Sequence, residues 1–326
     1  MKRKVLAMFL CISMMISATA CGKKEAEEPK VKVEHAAAVD NGTLKEDSAT
    51  IAVGQTTVPY NEYKVYYYFM KNQYEDTLTP EVWNYTGAGE EGKTIGQEAI
   101  EDVLRLIIQV KVIGKAAAAQ GVTLAADEKE EADYNATTFC ESLSEEEKQA
   151  NSITPTLLAK IFEENKLAEK MYHVITGQVD VNITPEQSQA SRVQMLYLKA
   201  DESNKEQVKQ QMDGLATQAQ SSKDSFYAFA KANTQASEVE CLIGRLDERT
   251  NLLNAVMSMK KGQVSSVIEE KDGYYIVYVL EESNQTINEE YKNEVVAKRQ
   301  TEAFQKAYKT WSEQYEVEVS KSLLVK

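Results

Sequence analysis

The chain has 326 residues, long enough for more than one domain, and a formal net charge of −14. That acid excess argues against a nucleic-acid partner, which calls for a basic patch, and against adhesion of the folded body to an anionic membrane surface. Only His35 and His173 are histidines, which excludes a histidine-rich metal site, and neither a metal nor a cofactor is expected.

Lys2, Arg3 and Lys4 open the chain, an apolar run follows from Val5 to Ile16, and Ser17-Ala18-Thr19-Ala20 places small residues ahead of Cys21. This is the layout of a secretory signal over residues 1–20, with an apolar run too short to span a bilayer. The placement of the cysteine resembles the lipobox of bacterial lipoproteins, with Ala18 where that pattern usually has Leu. The resemblance implies a diacylglycerol on the Cys21 thiol and a body anchored by that lipid on the extracytoplasmic face of the cell membrane. An ordinary signal peptide cut near the same place is the alternative. Loss of the three basic residues with the leader takes the charge from −14 to −17.

Residues 21–48 are polar, charged and poor in large apolar side chains, and read as a disordered tether. With Cys11 in the leader and Cys21 acylated, Cys140 and Cys241 remain, without a CxxC pattern. A disulfide is permitted outside the cell, and the two equally suit small buried apolar positions; no bond is expected. His173, inside a helical stretch, reads as a packing or surface residue.

Thr50-Ile51-Ala52-Val53, Gly54-Gln55 and Thr57-Val58 predict a short strand and turn leading to Pro59, with a helix from Glu62 to Tyr74 behind Asn61 as its cap. That helix carries Tyr63, Tyr66, Tyr67, Tyr68, Phe69, Met70 and Tyr74, more aromatic surface than one buried stripe needs. A looser stretch spans 77–94. Ile100, Val103, Leu104, Ile107 and Ile108 recur at helical spacing and predict a helix from Ile95 to Gln120, ended by Gly121. Further helices are predicted from Asp127 to Leu143 and from about Pro155 to Val174, so residues 49–184 form a mostly helical module. Beyond Thr184-Pro185 the pattern is mixed: strand at Val193–Leu198, helices at Lys205–Ala219 and Phe226–Ala232, strand at Glu240–Leu246, helix at Asn251–Met259, and strands at Val264–Ile268 and Tyr274–Leu280. An amphipathic helix from Ile287 to Tyr315 and a strand at Val317–Val319 close the chain.

Gly87-Ala88-Gly89-Glu90-Glu91-Gly92-Lys93-Thr94 matches the phosphate-binding pattern G-x-x-x-x-G-K-T. The loop chemistry needs backbone N–H groups wrapped around phosphate, and Glu90 and Glu91 would put two negative charges inside that cradle. No buried strand precedes it and no apolar strand ending in Asp supplies a second metal contact. The segment therefore reads as a glycine-rich loop with Thr94 capping the next helix, and no nucleotide is expected.

Lys260-Lys261-Gly262-Gln263-Val264-Ser265 is similar to K-K-G-E-V-S of the parvulin peptidyl-prolyl isomerases, and Gly273-Tyr274-Tyr275-Ile276-Val277 to their G-Y-H-I-I. Phe226 to Lys231 resembles their F-x-x-L-A-K. The stretch from Gly54 to Tyr63, and Ala116 to Gly121 with Val122-Thr123-Leu124, resemble runs in the amino-terminal segment of the PrsA/SurA type of extracytoplasmic foldase, and nearly all of the mature chain follows that layout. The resemblance implies an α+β protein. Its helical chaperone module would be formed by residues 49–184 together with a C-terminal segment, 284–326. A parvulin-like domain, 190–283, would be inserted between them with the order βα2βαβ2 and a four-stranded sheet.

Parvulins surround the proline ring with two histidines, an Asp or Cys, and an apolar wall. The histidine positions fall on Met195 and Tyr275, and the wall falls near Glu248, Leu252 and Met257. The G-G-D-L-G turn is reduced to Glu240-Cys241-Leu242-Ile243-Gly244, and Thr234-Gln235 lies nearest the Cys/Asp position. The scaffold is kept and the polar machinery is not.

The resulting expectation is a membrane-anchored chaperone or foldase for unfolded or nascent exported polypeptides, with a weakly active or inactive parvulin domain. Tyr63, Tyr67, Met70 and Tyr74 are the expected client-contacting residues, facing an apolar groove. The alternatives are an active peptidyl-prolyl isomerase and a non-catalytic envelope or solute-binding lipoprotein. The last lacks the two α/β lobes usual in solute receptors.

Overall fold

The structure, a computed structural model, describes residues 31–32, 39–40, 43–44, 48–77, 79–86, 92–222 and 225–323. Cys21 and the leader lie outside them. The described residues divide into two compact units, one ending at Gln178 and resuming at Thr301, the other running from Val179 to Gln300. Together they make an α+β fold.

In the first unit, β1 (Val31–Lys32), β4 (Ala49–Val53), β5 (Thr56–Pro59) and β10 (Val317–Val319) form a sheet in the order β1-β10-β4-β5, while β2 (Val39–Asp40) and β3 (Thr43–Leu44) pair separately. The last strand is thus paired with early ones: Val317 faces Val53 and Val319 faces Ile51 in antiparallel register, and Val31 pairs Val317 in parallel. The stretch read as a tether therefore contributes short strands at its described residues. The sequence pattern hid them because two-residue strands carry no readable alternation.

The helices of this unit are α1 (Tyr60–Thr77), α2 (Ile95–Ala119), α3 (Ala126–Glu141), α4 (Glu145–Ala150) and α5 (Pro155–Thr176). Thr94 starts α2 with a reciprocal capping box: its hydroxyl accepts from the Gln97 N–H and the Gln97 amide accepts from the Thr94 N–H. Lys93 pairs with Glu101 at 2.9 Å. The described end of the phosphate-loop pattern is thus occupied by helix capping and a surface ion pair. The short helix α4, capped by Ser144, is absent from the sequence expectation because its EEEKQA carries no apolar period.

Val65, Tyr66 and Phe69 of α1, Val103, Ile107 and Val112 of α2, and Leu158, Ile161 and Phe162 of α5 share one core. The same core holds Phe304, Tyr308 and Trp311 from the end of α9 (Gln285–Ser312); the Phe304 ring meets Tyr172 edge-on at 5.2 Å and Trp311 at 6.0 Å. Glu62 is fully buried on α1. Its carboxylate lies 2.6 Å from Lys111 of α2 and 2.7 Å from Lys160 of α5, and Lys111 also reaches Glu164 at 2.5 Å. Beside them the Asn165 amide donates to the Tyr66 hydroxyl at 3.0 Å.

The second unit is built on one antiparallel sheet in the order β7-β6-β9-β8, from β6 (Ala190–Lys199), β7 (Glu240–Gly244), β8 (Ile268–Glu270) and β9 (Gly273–Glu281). Both faces are covered. Leu196, Leu198, Tyr274 and Ile276 pack under α6 (Lys205–Ser221) and α7 (Phe226–Asn233) through Met212, Phe226 and Ala230. Val193, Met195, Tyr275, Val277 and Val279 face α8 (Thr250–Ser258) through Leu252 and Val256. This two-sided burial turns β9 into a nearly continuous apolar run. The element order is βααβαββ.

The expected strand Val264–Ile268 is displaced. Only Ile268–Glu270 is regular, and Val264 makes a single bridge to Tyr278. Gly262 adopts a φ of +82°, and the Ser265 hydroxyl accepts from the Val277 N–H at 3.0 Å, a side chain doing the work of a ladder carbonyl. Cys140 is buried and Cys241 half-buried, and both are free thiols. Among the described residues no helix is long and apolar enough to cross a membrane.

At Gly244 a Cβ would sit 2.5 Å from the Tyr291 ring and 2.8 Å from the Gln189 carbonyl oxygen. Gly244→Ala is therefore expected to destabilise the second unit by about 1–3 kcal/mol in a urea titration. Lys111→Met leaves Glu62 buried with half its cations, and is expected to cost about 3–5 kcal/mol by the same measurement.

Candidate functional site

The sheet register brings two tyrosines together on the α8 side. Tyr197 and Tyr275 are cross-strand partners on β6 and β9, and Met195, two residues before Tyr197, faces the same way. The rings of Tyr197 and Tyr275 stack with centroids 4.7 Å apart and planes 29° apart. Both hydroxyls converge on the β8–β9 turn: Tyr275 donates to the Asp272 carboxylate and Tyr197 to the Asp272 carbonyl, each at 2.8 Å. Gly273 follows in an open conformation with φ +151°, and a Cβ there would meet the Leu198 carbonyl at 2.2 Å, so the turn that positions Asp272 admits only glycine.

Over the Tyr275 ring lies the Arg249 guanidinium, 5.4 Å from its centroid, in cation–π contact. Asp247 holds it as a fork: Nε donates to Oδ1 at 2.9 Å and Nη2 to Oδ2 at 2.6 Å, while the Arg249 backbone N–H donates to Oδ1 at 2.9 Å. The remaining nitrogen, Nη1, lies 4.0 Å from the Met195 sulfur. Below, Thr234 and Gln235 seal the exposed length of β6. The Thr234 hydroxyl accepts from the Tyr197 N–H at 2.9 Å, and the Gln235 amide oxygen accepts from the Lys199 N–H at 2.7 Å.

The electrostatics follow from burial. Desolvation pushes the Tyr275 phenol well above its ordinary value, the Asp272 bond adding to this and Arg249 opposing it. Burial would lower Arg249, but the Asp247 carboxylate outweighs it and the guanidinium is held firmly charged. The site thus contains a neutral phenol and a permanent cation, neither of which gives up or takes a proton near neutrality. It can stack, donate hydrogen bonds and present positive charge.

The expected site residues are only partly brought together. Met195 is buried against Arg249, and Tyr275 is central. The positions read as an apolar wall do not form one. Glu248 is exposed, Leu252 is fully buried in the sheet-facing core, and Met257 is half-buried. Tyr197, Asp247, Arg249 and Asp272 were missed; the alternation placing Tyr197 on Tyr275's face, and the Asp-Gly turn, are the signals that point to two of them.

In the first unit, Tyr63 is a core residue rather than a surface one, buried because α1 is packed on more than one side. Tyr67 and Met70 are half-buried and pack against that core. Tyr74 is half-buried, its ring tilted against Trp83 at 5.5 Å and its hydroxyl donating to Asp102 at 3.3 Å. Tyr60, Tyr63 and Tyr67 form a ladder of stacked rings 6.0 and 6.1 Å apart. Among the described residues no cluster of carboxylate, thiol and imidazole groups is arranged to hold a metal ion.

Residues 192–281 match the family model described as a rotamase, the PPIC-type peptidyl-prolyl isomerase domain. No curated protein matches the chain. Among solved structures, a PpiC-type isomerase domain is 25% identical over 30% of this chain and 97% of its own, with a TM-score of 0.28. PrsA from Bacillus anthracis is 13% identical over 62% and 95%, with a TM-score of 0.36. A SurA-like chaperone structure from Campylobacter jejuni is 10% identical over 84% and 99%, with a TM-score of 0.31.

An imidazole-based site changes its behaviour as its rings titrate, near pH 6.5. With Tyr275 held neutral and Arg249 held charged, the affinity of this site for any neutral peptide it takes is expected to stay flat from about pH 6 to 8. A sigmoidal step in that range, measured by fluorescence anisotropy with a neutral proline peptide, would contradict the assignment.

Proposed function

We propose that the chain is a lipid-anchored chaperone or foldase of the extracytoplasmic side. In this reading the rotamase-type domain holds extended, proline-containing segments of exported polypeptides and turns them over slowly or not at all. The rotamase match over residues 192–281 supports the domain's lineage. The observation that carries the reading is that Tyr275, the residue read at a histidine position, is a phenol hydrogen-bonded to Asp272 beneath a charged Arg249 that Asp247 holds as a fork. No histidine stands between residues 190 and 283. Tyr67, Met70 and Tyr74, half-buried on α1, are the residues of the first unit proposed to meet clients. The anchor is the Cys21 lipid.

A second reading, an active isomerase, is favoured by the same family match. Two assays on the full mature chain separate them. Suppression of aggregation of a reduced, denatured client at stoichiometric ratio, with proline-peptide isomerisation at background, is the expected result. No protection at any ratio would sink the chaperone reading, and rapid isomerisation would install the second. Cys21→Ala is expected to abolish labelling by a fatty-acid analogue and to release the protein from the membrane fraction.

A further inference from the structure

Tyr275 and Met195 are 2% and 3% exposed, so neither presents a surface to a client. The groups over and beside them that reach solvent are Arg249, with 28% of its side chain exposed, and the half-buried Tyr197. Arg249 is the residue whose placement local structure does not explain. It is the N-cap of α8, where small polar or acidic side chains are favoured and the helix dipole opposes a cation, and its side chain caps nothing. Glu270 of β8 takes over that task, accepting from the Leu252 N–H at 2.9 Å.

The arginine is nonetheless held firmly. Its carbonyl accepts from the Leu253 N–H at 2.9 Å, and Leu252 and Val256 pin the helix to the sheet with no exposed surface. Asp247 accepts three hydrogen bonds from it, from the backbone N–H, Nε and Nη2. That fork occupies one edge of the guanidinium plane and cancels its charge. Nη1 is left 4.0 Å from the Met195 sulfur, a weak acceptor.

A strong donor nitrogen is thus retained on a group whose net charge is already matched. This combination suits a neutral, dipolar acceptor better than an anion. A carboxylate would gain little from a cation that is already paired, and it would meet the like charges of Asp247 and Asp272. A peptide carbonyl meets neither objection. The carbonyl before a proline suits the donor best: its tertiary amide makes the oxygen electron-rich, and the missing prolyl N–H keeps such a stretch out of regular ladders.

We propose that Arg249 is the donor with which the second unit holds a client, its Nη1 taking the carbonyl oxygen of the residue before proline. Asp247 is the positioning residue that aims this donor and cancels its charge. The inference rests on the proposed function, because it assumes that the second unit binds proline-containing peptide. Tyr197 offers the prolyl ring an aromatic surface beside the guanidinium, and Tyr275 supports both. A site built in this way reads the proline and its backbone rather than the charge of the neighbouring side chains. Its choice of sequence is broad, as a binder of many exported chains requires.

The test titrates the full mature chain and its variants with two fluorescent proline peptides that differ only at the residue before proline, glutamine or glutamate. Arg249→Met is expected to weaken both at least about tenfold. Arg249→Lys, which keeps the charge without the planar fork, is expected to weaken them nearly as much. Asp247→Asn keeps the shape of the acceptor and removes its charge. It is expected to shift the glutamate-to-glutamine affinity ratio on the order of fivefold toward glutamate, a change that a merely structural role would not produce. Circular dichroism checks each fold. Unchanged affinity in Arg249→Met, or an Asp247→Asn ratio equal to that of the unaltered chain, overturns the inference. If either occurs while denatured clients are still protected, the donor falls and the chaperone reading stands. If the unaltered chain binds neither peptide, the inference falls, and the chaperone reading falls with it only when no denatured client is protected.

Discussion

A carboxylate with no exposed surface sits where α1, α2 and α5 converge. Glu62 in that position must be matched by cations, and it is met by Lys111 on one side and Lys160 on the other. Lys111 is itself almost fully buried and shared with Glu164, whose carboxyl is pushed up by burial while Lys111 pulls it back. Each helix supplies a charge that is costly alone. Sliding α2 by one residue along α1 would part Lys111 from Glu62 and leave that buried carboxylate with Lys160 alone. Hydrophobic packing of Ile107, Phe162 and Tyr66 drives the helices together but tolerates exchange of one apolar contact for another. The charge set does not.

The same unit is closed by the opposite end of the chain. β10 lies between β1 and β4, and Phe304, Tyr308 and Trp311 complete the core that α1, α2 and α5 begin. Neither half of this unit has a full core by itself, so its stability depends on contacts separated by nearly the whole length of the chain. Such non-local closure is slow to form, because loop entropy must be overcome before the contacts reward it.

The helices and the second unit's strands are legible because their apolar positions repeat. Ile100 to Ile108 show α2, and the run Tyr274 to Val279 shows β9. Periodicity shows these elements one by one, while the α+β layout is what the resemblance implies. The charge set is illegible for the complementary reason: Glu62, Lys111 and Lys160 stand among ordinary helix-surface residues, and only the packing angle of three helices reveals that they meet. Tyr63 illustrates the other failure. Counting aromatics on α1 detects more than one apolar face but does not say whether a second face meets a client or the protein itself; the ladder with Tyr60 and Tyr67 and the closeness of the core settle that residue as packing. In the second unit, Met195 and Tyr275 were visible by register against a motif, whereas Arg249 was not, because its role comes from a fork onto Asp247 two residues away and a ring on another strand.

That arginine bears on what the segment matching the rotamase model, residues 192–281, can do. Rotation about a prolyl amide must break the partial double bond, a barrier of about 18–20 kcal/mol, and it is eased when resonance is weakened. A cation or strong donor directed at the carbonyl oxygen stabilises the planar, charge-separated form and holds the bond as it is; the same donor directed at the prolyl nitrogen does the reverse. Arg249 spends Nε and Nη2 on Asp247, rests over Tyr275, and keeps Nη1 beside Met195. A guanidinium tethered at that many points has little freedom to follow an amide as it twists. On the function proposed above, a client segment meets a flat platform of two stacked tyrosines and a guanidinium tethered by Asp247, surroundings suited to one ground-state geometry.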